Sequence, residues 1–419
     1  MLEVKKINNR TGLPLLEFFF IVATCFFYSN YIVQSSYAYP MIVAFTVYVF
    51  YCYLKVKEYR KQILFFMLML VLFSLLYLLL TDTLSINASV SNREIKRLFS
   101  KYYQFFTMFF PLFIFYRVAT KATKFQIYLF IAIVFFNLFL LAKTALAAVY
   151  FNADILHSMR KESVEESGLT IAAFYFVYSY TFVVLIGLLC YRNANNKLLQ
   201  YISLIIAVAC MYFLYITQFA LSIITCFISI LYLYLKTTRN ITNRIFVIIG
   251  IIVVLLITPL FLKELLEVMP DNILKDRLTE IYGALTGNSV NSAGDGEGRL
   301  KLYWMSIKAF VSSPIIGNRT LPDDGHATLF TVPADIGIYG VIFLYTFFNN
   351  AHKLLTRILG NKAIFFKPLM LQIILMGLTN PIHSSPSIYI LLFFVCPLII
   401  LLFINEKKIV HYTPKEPST

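Results

Sequence analysis

The residues of this sequence best suited to chemistry lie in one polar segment between two apolar stretches and at the start of the second stretch. In order they are Gly298-Arg299, Tyr303-Trp304, Ser313 to Gly317, Asp323 to His326, and Asp335. Histidine has a pKa near neutral pH, so it can accept a proton from a reacting group. Arginine stays charged and its planar fork donates to two phosphate oxygens at once. The segment therefore combines a proton acceptor with a cation that suits a phosphate-bearing ligand.

The order and spacing of these groups resemble the O-antigen polymerase and ligase family of bacterial envelopes. That family has a Gly-Arg pair, a following Trp, a Pro-x-x-Gly, and a His leading into the next membrane span, after which come an acid and two glycines. The matching residues here are Gly298-Arg299, Trp304, Pro314 to Gly317, His326, Asp335, Gly337 and Gly340. The resemblance in detail covers roughly residues 298–340, and its strength lies in the combination, because each motif alone is short.

The sequence departs from the family pattern in two places. Family members often have Asn directly after the histidine, where this chain has Ala327. They also often carry a Ser-Arg pair at the outer start of the eighth span, where this chain reads Thr217-Gln218-Phe219. The arginine usually assigned there to the lipid phosphates is therefore absent from that position.

The resemblance implies transfer of a glycan from an undecaprenyl-diphosphate carrier to an acceptor sugar, without a nucleotide, a metal or another cofactor. On this interpretation His326 is the general base that takes the proton of the attacking hydroxyl. Arg299 is the first choice for binding the diphosphate, which leaves already charged. A single displacement would invert the anomeric carbon.

Other polar and aromatic residues are candidates for substrate binding. Arg160 resembles the arginine that family members place before their sixth span, although a charged run such as the one around it is usually a solvated face. Asp335 could orient a cationic partner, and Trp304 could stack on a sugar or anchor at the membrane interface. The remaining candidates for lipid phosphate or anionic glycan are Arg319, Arg277 and Arg97, the last within the cluster Arg93, Lys96 and Arg97.

The elements that position these residues are expected to be membrane helices. Hydrophobic residues make up 59% of the 419 residues and charged residues 14%, against about 25% charged in a soluble domain. The mean hydropathy is +0.75, and a span needs about 20 mostly apolar residues. The predicted fold is all-α, one polytopic transmembrane domain over residues 1–419. Its about twelve predicted spans are Leu15 to Val33, Ala38 to Leu54, Ile63 to Leu80, Tyr102 to Arg117, Phe125 to Ala142, Leu169 to Tyr191, Leu198 to Leu214, Gln218 to Leu235, Ile245 to Leu262, Leu329 to Phe348, Ile364 to Thr379, and Ser387 to Ile404.

Loop charges predict the orientation of these spans. Cytoplasmic loops are enriched in Lys and Arg, and with the N-terminus inside every short inner loop is basic, whereas the shortest outer loops, near Ser35, Thr217 and His383, have no Lys or Arg. Both termini are then cytoplasmic. A large outer loop, residues 263–328, lies between the ninth and tenth spans. It contains two predicted amphipathic helices, Ile273 to Leu285 and Gly298 to Val311.

The sequence leaves several functions open. We favour a polysaccharide polymerase in the bacterial cytoplasmic membrane, because the absent arginine of the eighth span is a divergence of the kind found mostly among polymerases. The sister activity is an O-antigen ligase that transfers the glycan to a lipid A core. A flippase or transporter is disfavoured, because intramembrane charge is almost absent. A metal-dependent glycosyltransferase using Asp323 and Asp324 is disfavoured. Such enzymes resemble one another in placing acids in the first outer loop, and that loop here, near Ser35, is short and uncharged.

The expected partners follow from the same interpretation. They are the undecaprenyl-diphosphate-linked glycan, membrane lipid, and a polysaccharide chain-length regulator protein; no nucleic acid is expected.

The six cysteines all fall within apolar runs and form no CxxC or Cys/His pattern, so neither a disulfide framework nor a structural zinc site is indicated.

Overall fold

The computed structural model describes the chain in blocks. These are residues 10–55, 107–151, 176–217, 220–237, 262–269, 295–315, 317, 327–380, 382 and 385–404, with residues 60, 64, 67–68, 71–72, 242, 245, 249, 275, 278–279 and 282. This part of the chain is helical apart from short connections and contains no strand, with one isolated antiparallel bridge between Ala194 and Ile404. The prediction of an all-α protein is therefore confirmed for the described residues.

Twelve of the helices in the described part of the chain are numbered in chain order. They are α1 (Leu15–Ser29), α2 (Tyr31–Lys55), α3 (Lys124–Phe151), α4 (Ser179–Asn193), α5 (Lys197–Ile216), α6 (Ala220–Thr237), α7 (Asp295–Ser312), α8 (Thr328–Ile336), α9 (Ile338–Leu359), α10 (Lys367–Thr379), α11 (Pro386–Ile390) and α12 (Cys396–Phe403). A further helical segment covers residues 107–121. A 3-10 segment, Gly360–Phe366, precedes α10, and a π-helical turn, Leu391–Val395, joins α11 to α12.

Four helical segments among the described residues are long and apolar enough to cross a membrane. They are Lys124–Ala147, Lys197–Ile216, Ile338–Thr379 and Pro386–Phe403. Three shorter apolar helices accompany them, Leu15–Ser29, Pro40–Lys55 and Ser222–Lys236. Large apolar side chains such as those of Phe136, Tyr201 and Tyr345 lie exposed on these helices. Such surfaces suit contact with lipid, so the helices are compatible with a membrane protein.

The predicted tenth span, Leu329 to Phe348, is not one helix. Gly337 has φ +64° and separates α8 from α9, which continues to Leu359. This boundary prediction was wrong because hydropathy does not detect a backbone break that a glycine makes within an apolar stretch. The candidate span Ile338–Thr379 has 42 residues, about twice one crossing. It divides into α9 and α10 at Gly360, which has φ +56°.

Other predicted boundaries differ less. The split proposed near Thr217 is confirmed, since α5 ends at Ile216 and α6 begins at Ala220. At the N-terminus, α1 ends at Ser29 and α2 begins at Tyr31, so the chain turns at Asn30 earlier than predicted. Helix α7 covers the predicted amphipathic helix Gly298 to Val311.

The chain divides into two compact units. Unit 1 comprises Met1–Leu141, Tyr303–Gly360 and Gly377–Leu398, and its core contains stacked rings such as Phe45 and Phe110, whose centroids are 4.1 Å apart. Unit 2 comprises Ala142–Leu302, Asn361–Met376 and Ile399–Thr419. In unit 2, α4 packs on α5 at Gly187, where a Cβ would lie 2.9 Å from the carbonyl oxygen of Ser203.

Candidate functional site

Two motif segments, Pro314 to Gly317 and Asp335 to Ile338, pack closely against each other through their backbones, a contact called the interlock below. Gly317, the glycine of the Pro-x-x-Gly motif, has φ +81°, and a Cβ there would overlap the peptide between Asp335 and Ile336. Gly337 has φ +64°, and a Cβ there would overlap the carbonyl groups of Ile315 and Pro314. Only glycine adopts these conformations readily and permits so close an approach. Both glycines are therefore required by one contact within unit 1.

Hydrogen bonds hold the same interlock. The N–H of Ile338 donates to the carbonyl oxygen of Pro314 at 2.7 Å, and the N–H of Gly317 donates to that of Ser313 at 2.8 Å. The bond to Pro314 satisfies one of the donors that the first turn of α9 leaves free. The end of α7 is thus fixed to the junction of α8 and α9.

The start of α8 is fixed at a second point. The carbonyl oxygen of Asn380 accepts from the Thr328 N–H at 3.1 Å and from the Thr328 hydroxyl at 3.2 Å. It also accepts from the Ile382 N–H at 2.9 Å. Ala327, directly after His326, is fully buried, as is Thr328. One carbonyl therefore joins the start of α8 to the turn between α10 and α11.

Tyr303 connects α7 to α8 and to the turn that follows α10. Its hydroxyl donates to the carbonyl oxygen of Thr379 at 3.4 Å, and its ring stacks on Phe330 with centroids 5.4 Å apart. Three stretches distant in sequence therefore meet in unit 1: α7, the start of α8, and the turn that begins at Thr379. This turn lies outside the motif of residues 298–340, although its Asn380-Pro381 pair is a turn signal in the sequence.

The two fixed points bracket the segment with the predicted base. Gly317 lies at one end of residues 318–326 and Ala327 at the other, and both ends belong to the arrangement just described. Residues 318–326, including His326, Arg319, Asp323 and Asp324, lie outside the described residues. Arg160, Arg277 and Arg97 also lie outside them.

Three predicted site residues lie within the described part of the chain. Arg299 lies in α7, where the backbone is described. Trp304 is 57% exposed, with the Lys308 ammonium nitrogen 5.5 Å from its ring centroid, a cation–π contact. Asp335 is buried near the end of α8, and its own backbone faces Gly317. Tyr303, the neighbour of Trp304, is an α7 aromatic that contacts α8, through Phe330.

Two hydroxyl groups near these elements lack hydrogen-bond partners in the described part of the chain. They are those of Thr331, on α8, and Tyr389, on α11, and both side chains are buried. A buried polar group without a partner is costly. Within the same described residues, no three His, Cys, Asp or Glu side chains are grouped so that they could hold a metal ion.

Comparison with known proteins adds no family assignment. The sequence matches no protein-family model, and it matches no curated protein at a significant level. Function is therefore inferred from the chain's own residues and from the motif resemblance of residues 298–340.

Proposed function

We propose that this protein is a polysaccharide polymerase of the O-antigen polymerase type. It would join oligosaccharide repeat units carried on undecaprenyl diphosphate at the outer face of the bacterial cytoplasmic membrane. The observation that carries the proposal is the interlock of Pro314 to Gly317 with Asp335 to Ile338. It gives a shared physical reason for two motif glycines, Gly317 and Gly337, that the resemblance had matched by spacing alone.

The proposed topology has twelve spans, both termini in the cytoplasm, and the large loop of residues 263–328 outside. The four described candidate spans and the three shorter apolar helices support it in part. The separation of α5 from α6 at Thr217 supports the hairpin that the count of twelve needs. Under this topology the arrangement of α7, the start of α8 and the turn at Thr379 lies at the outer face.

In the proposed reaction, a hydroxyl of the acceptor sugar attacks the anomeric carbon of the donor. The bond from that carbon to the phosphate oxygen breaks, and the hydroxyl proton passes to a ring nitrogen of His326. The diphosphate leaves as an anion that Arg299 stabilises, with Arg160, Arg319, Arg277 and Arg97 as further cations. One displacement inverts the anomeric carbon, and no metal is required.

The two fixed points supply positioning for this chemistry. A base acts efficiently when it is held within hydrogen-bond reach of the proton it removes. The described residues on either side of His326 in sequence, Gly317 and Ala327, belong to one packed arrangement, which supports this role for the residues between them. Trp304 would either stack on a sugar or anchor α7 at the interface, and Asp335 would orient a neighbouring cation.

The test is complementation of a strain that lacks this gene. Wild-type protein, His326→Ala and the control His352→Ala, a histidine on α9, are expressed to equal membrane levels, and the surface polysaccharide is separated on a gel. We expect a ladder from wild type and His352→Ala, and a single-repeat band from His326→Ala.

The other outcomes of this experiment are equally informative. If His326→Ala leaves no attached glycan at all, the protein is better described as a ligase. If its ladder equals that of wild type, His326 is not the base, and a transport function must be considered again. Melting curves of the purified variants exclude misfolding as the cause.

A further inference from the structure

The chain before α1 is docked onto the turn that precedes α3. Gly12 has φ +85°, and its N–H donates to the carbonyl oxygen of Lys121 at 3.1 Å. The side-chain oxygen of Gln126 accepts from the N–H of Leu13 at 3.1 Å and from that of Thr123 at 3.0 Å. These bonds fix residues 10–13 against residues 121–126, all within unit 1.

This docking encloses the guanidinium group of Arg10. The residue is 9% exposed, and Nη1 donates to the carbonyl oxygen of Ala122 at the long distance of 3.5 Å. Nε and Nη2 are buried and have no hydrogen-bond partner in the described part of the chain. Two other arginines differ: Arg117 donates twice to Glu17, and Arg60 donates to the carbonyl oxygens of Tyr53 and Leu54.

An enclosed guanidinium with free donors requires an acceptor. Burial lowers the pKa of Arg10 to about 10, so the group still carries its charge at neutral pH. A buried charge without a counter-charge is strongly unfavourable. The nearest acid on α1 is Glu17, whose two oxygens already accept from Arg117 and Tyr48. An anion from outside the described residues is therefore expected beside Arg10.

The surroundings of Arg10 favour a lipid over a small free anion. Lys121 and Lys124 are exposed beside the docked segment and add positive charge. Leu15, Leu16 and Phe125 are 72%, 85% and 72% exposed, so apolar surface begins immediately next to the cations. The candidate span Lys124–Ala147 starts here, and the end of a span is the level of the lipid headgroups.

We propose that Arg10, together with Lys121 and Lys124, binds the phosphate group of an anionic phospholipid. The guanidinium donates to the phosphate oxygens, the two ammonium groups add positive charge beside the phosphate, and the acyl chains lie along Leu15, Leu16 and Phe125. The site is separate from the proposed polymerase chemistry and does not depend on it. Because the three cations adjoin exposed apolar surface, the lipid should remain bound through purification.

Native mass spectrometry of detergent-purified full-length protein tests this directly. Wild type should carry an adduct with the mass of phosphatidylglycerol or cardiolipin, and Arg10→Gln should reduce its occupancy roughly tenfold or more, since a charge-assisted pair is lost. Arg60→Gln is the control, because it removes the same charge from an exposed arginine whose Nε and Nη2 already donate to carbonyl oxygens. Arg10→Lys, which keeps the charge but loses the fork, should retain part of the adduct.

Two further measurements keep the outcome decisive. If Arg10→Gln does not fold, the double variant Lys121→Gln/Lys124→Gln, at two exposed positions, should still lower the adduct several-fold. Added phosphatidylglycerol should raise the melting temperature of lipid-depleted wild type, and phosphatidylcholine or inorganic phosphate should not. Equal stabilisation by inorganic phosphate would identify a free-anion site, and equal adducts in wild type and Arg10→Gln would overturn the proposal.

Discussion

Glu17 and Arg117 form an ion pair that links three helical segments of unit 1. Arg117 donates to the two carboxylate oxygens of Glu17 at 2.8 and 2.7 Å, and the Tyr48 hydroxyl donates to one of them at 2.7 Å. Glu17 lies on α1, Tyr48 on α2 and Arg117 on the segment 107–121. A lone pair or N–H donor without a hydrogen bond is costly in an apolar surrounding. Because both carboxylate oxygens of Glu17 accept hydrogen bonds, the carboxylate can be accommodated in an apolar helix.

Substitution of one partner should be more damaging than substitution of both. Glu17→Gln leaves the Arg117 guanidinium, whose side chain is only 12% exposed, without a counter-charge, and we expect a loss of about 3 kcal/mol in the free energy of unfolding. The double variant Glu17→Gln/Arg117→Met should recover most of that loss. Melting of the detergent-solubilised proteins measures both effects. A double variant as unstable as the sum of the single variants would contradict this account.

At the residue scale, the sequence marks Glu17 and Arg117 as notable residues but does not show that they pair with each other. Glu17 stands out because it is an acid at the edge of an apolar run, and Arg117 because it is one of the basic residues of a short loop. They are separated by 100 residues, and no periodicity connects them. The same holds for Arg10, whose enclosure depends on a glycine turn and on a glutamine at the start of α3.

At the scale of the helices, glycines decide where apolar stretches break. Gly337 and Gly360 have similar positive φ values, +64° and +56°. A Cβ at Gly337 would overlap Ile315 and Pro314, whereas a Cβ at Gly360 would meet nothing within 4 Å. Comparison of Gly337 with Gly360 therefore distinguishes the effect of backbone strain from that of steric overlap.

Alanine substitutions at these two glycines should have unequal effects. Gly360→Ala should cost about 1–3 kcal/mol, the strain of the backbone conformation alone. Gly337→Ala adds the overlap with Ile315, so we expect a larger loss and, under the proposed function, loss of the polysaccharide ladder at normal membrane levels of protein. Melting temperature and ladder length are measured for both variants. Equal effects would show that the interlock with Pro314 to Gly317 does not constrain α8 and α9.

A buried polar contact ties α6 to α10 within unit 2. The Gln372 side-chain oxygen accepts from the Ser229 hydroxyl at 2.7 Å, and its amide donates to the Thr225 hydroxyl at 3.1 Å. We expect Gln372→Leu to cost about 1 kcal/mol, because hydrogen bonds between membrane helices are individually weak. Ser222→Ala on the same face is the control and should be neutral, since that hydroxyl has no partner in the described part of the chain. A neutral Gln372→Leu variant in the same melting assay would contradict the expectation.

Hydropathy predicted some of these helix boundaries and missed others. It predicted the division of the stretch around Thr217, because an uncharged apolar run that long exceeds one crossing. It missed the break at Gly337, because both sides of the glycine are apolar and only the close approach of Ile315 shows the need for it. A motif glycine was therefore visible in the sequence, whereas its structural role was not.

At the scale of the molecule, the candidate site is assembled from distant segments. The motif resemblance covers α7 and the start of α8, since both lie between residues 298 and 340, but it says nothing of their contact. It did not predict the turn at Thr379 and Asn380, because no motif marks that turn and its contact is made by a backbone carbonyl oxygen. The roles of His326 and of the predicted arginines outside the described residues remain predictions.

The proposed topology places the two sides of the molecule in different compartments, which cysteine labelling can test. Of the native cysteines, Cys210 is half-buried and the other five are buried, so background labelling should be low. Asn195 is exposed between α4 and α5 on the proposed inner side, and Ser292 lies in the large outer loop. Three predicted spans separate the two positions, which therefore lie on opposite sides.

Ser292→Cys should react with a membrane-impermeant maleimide in intact spheroplasts, whereas Asn195→Cys should react only after permeabilisation. The unsubstituted protein serves as the control for background at the native thiols. The reverse pattern would invert the orientation that the basic loops predict. Reaction of both positions from outside would mean that one of the predicted spans Leu198 to Leu214, Gln218 to Leu235 or Ile245 to Leu262 does not cross, since an odd number of crossings separates opposite faces.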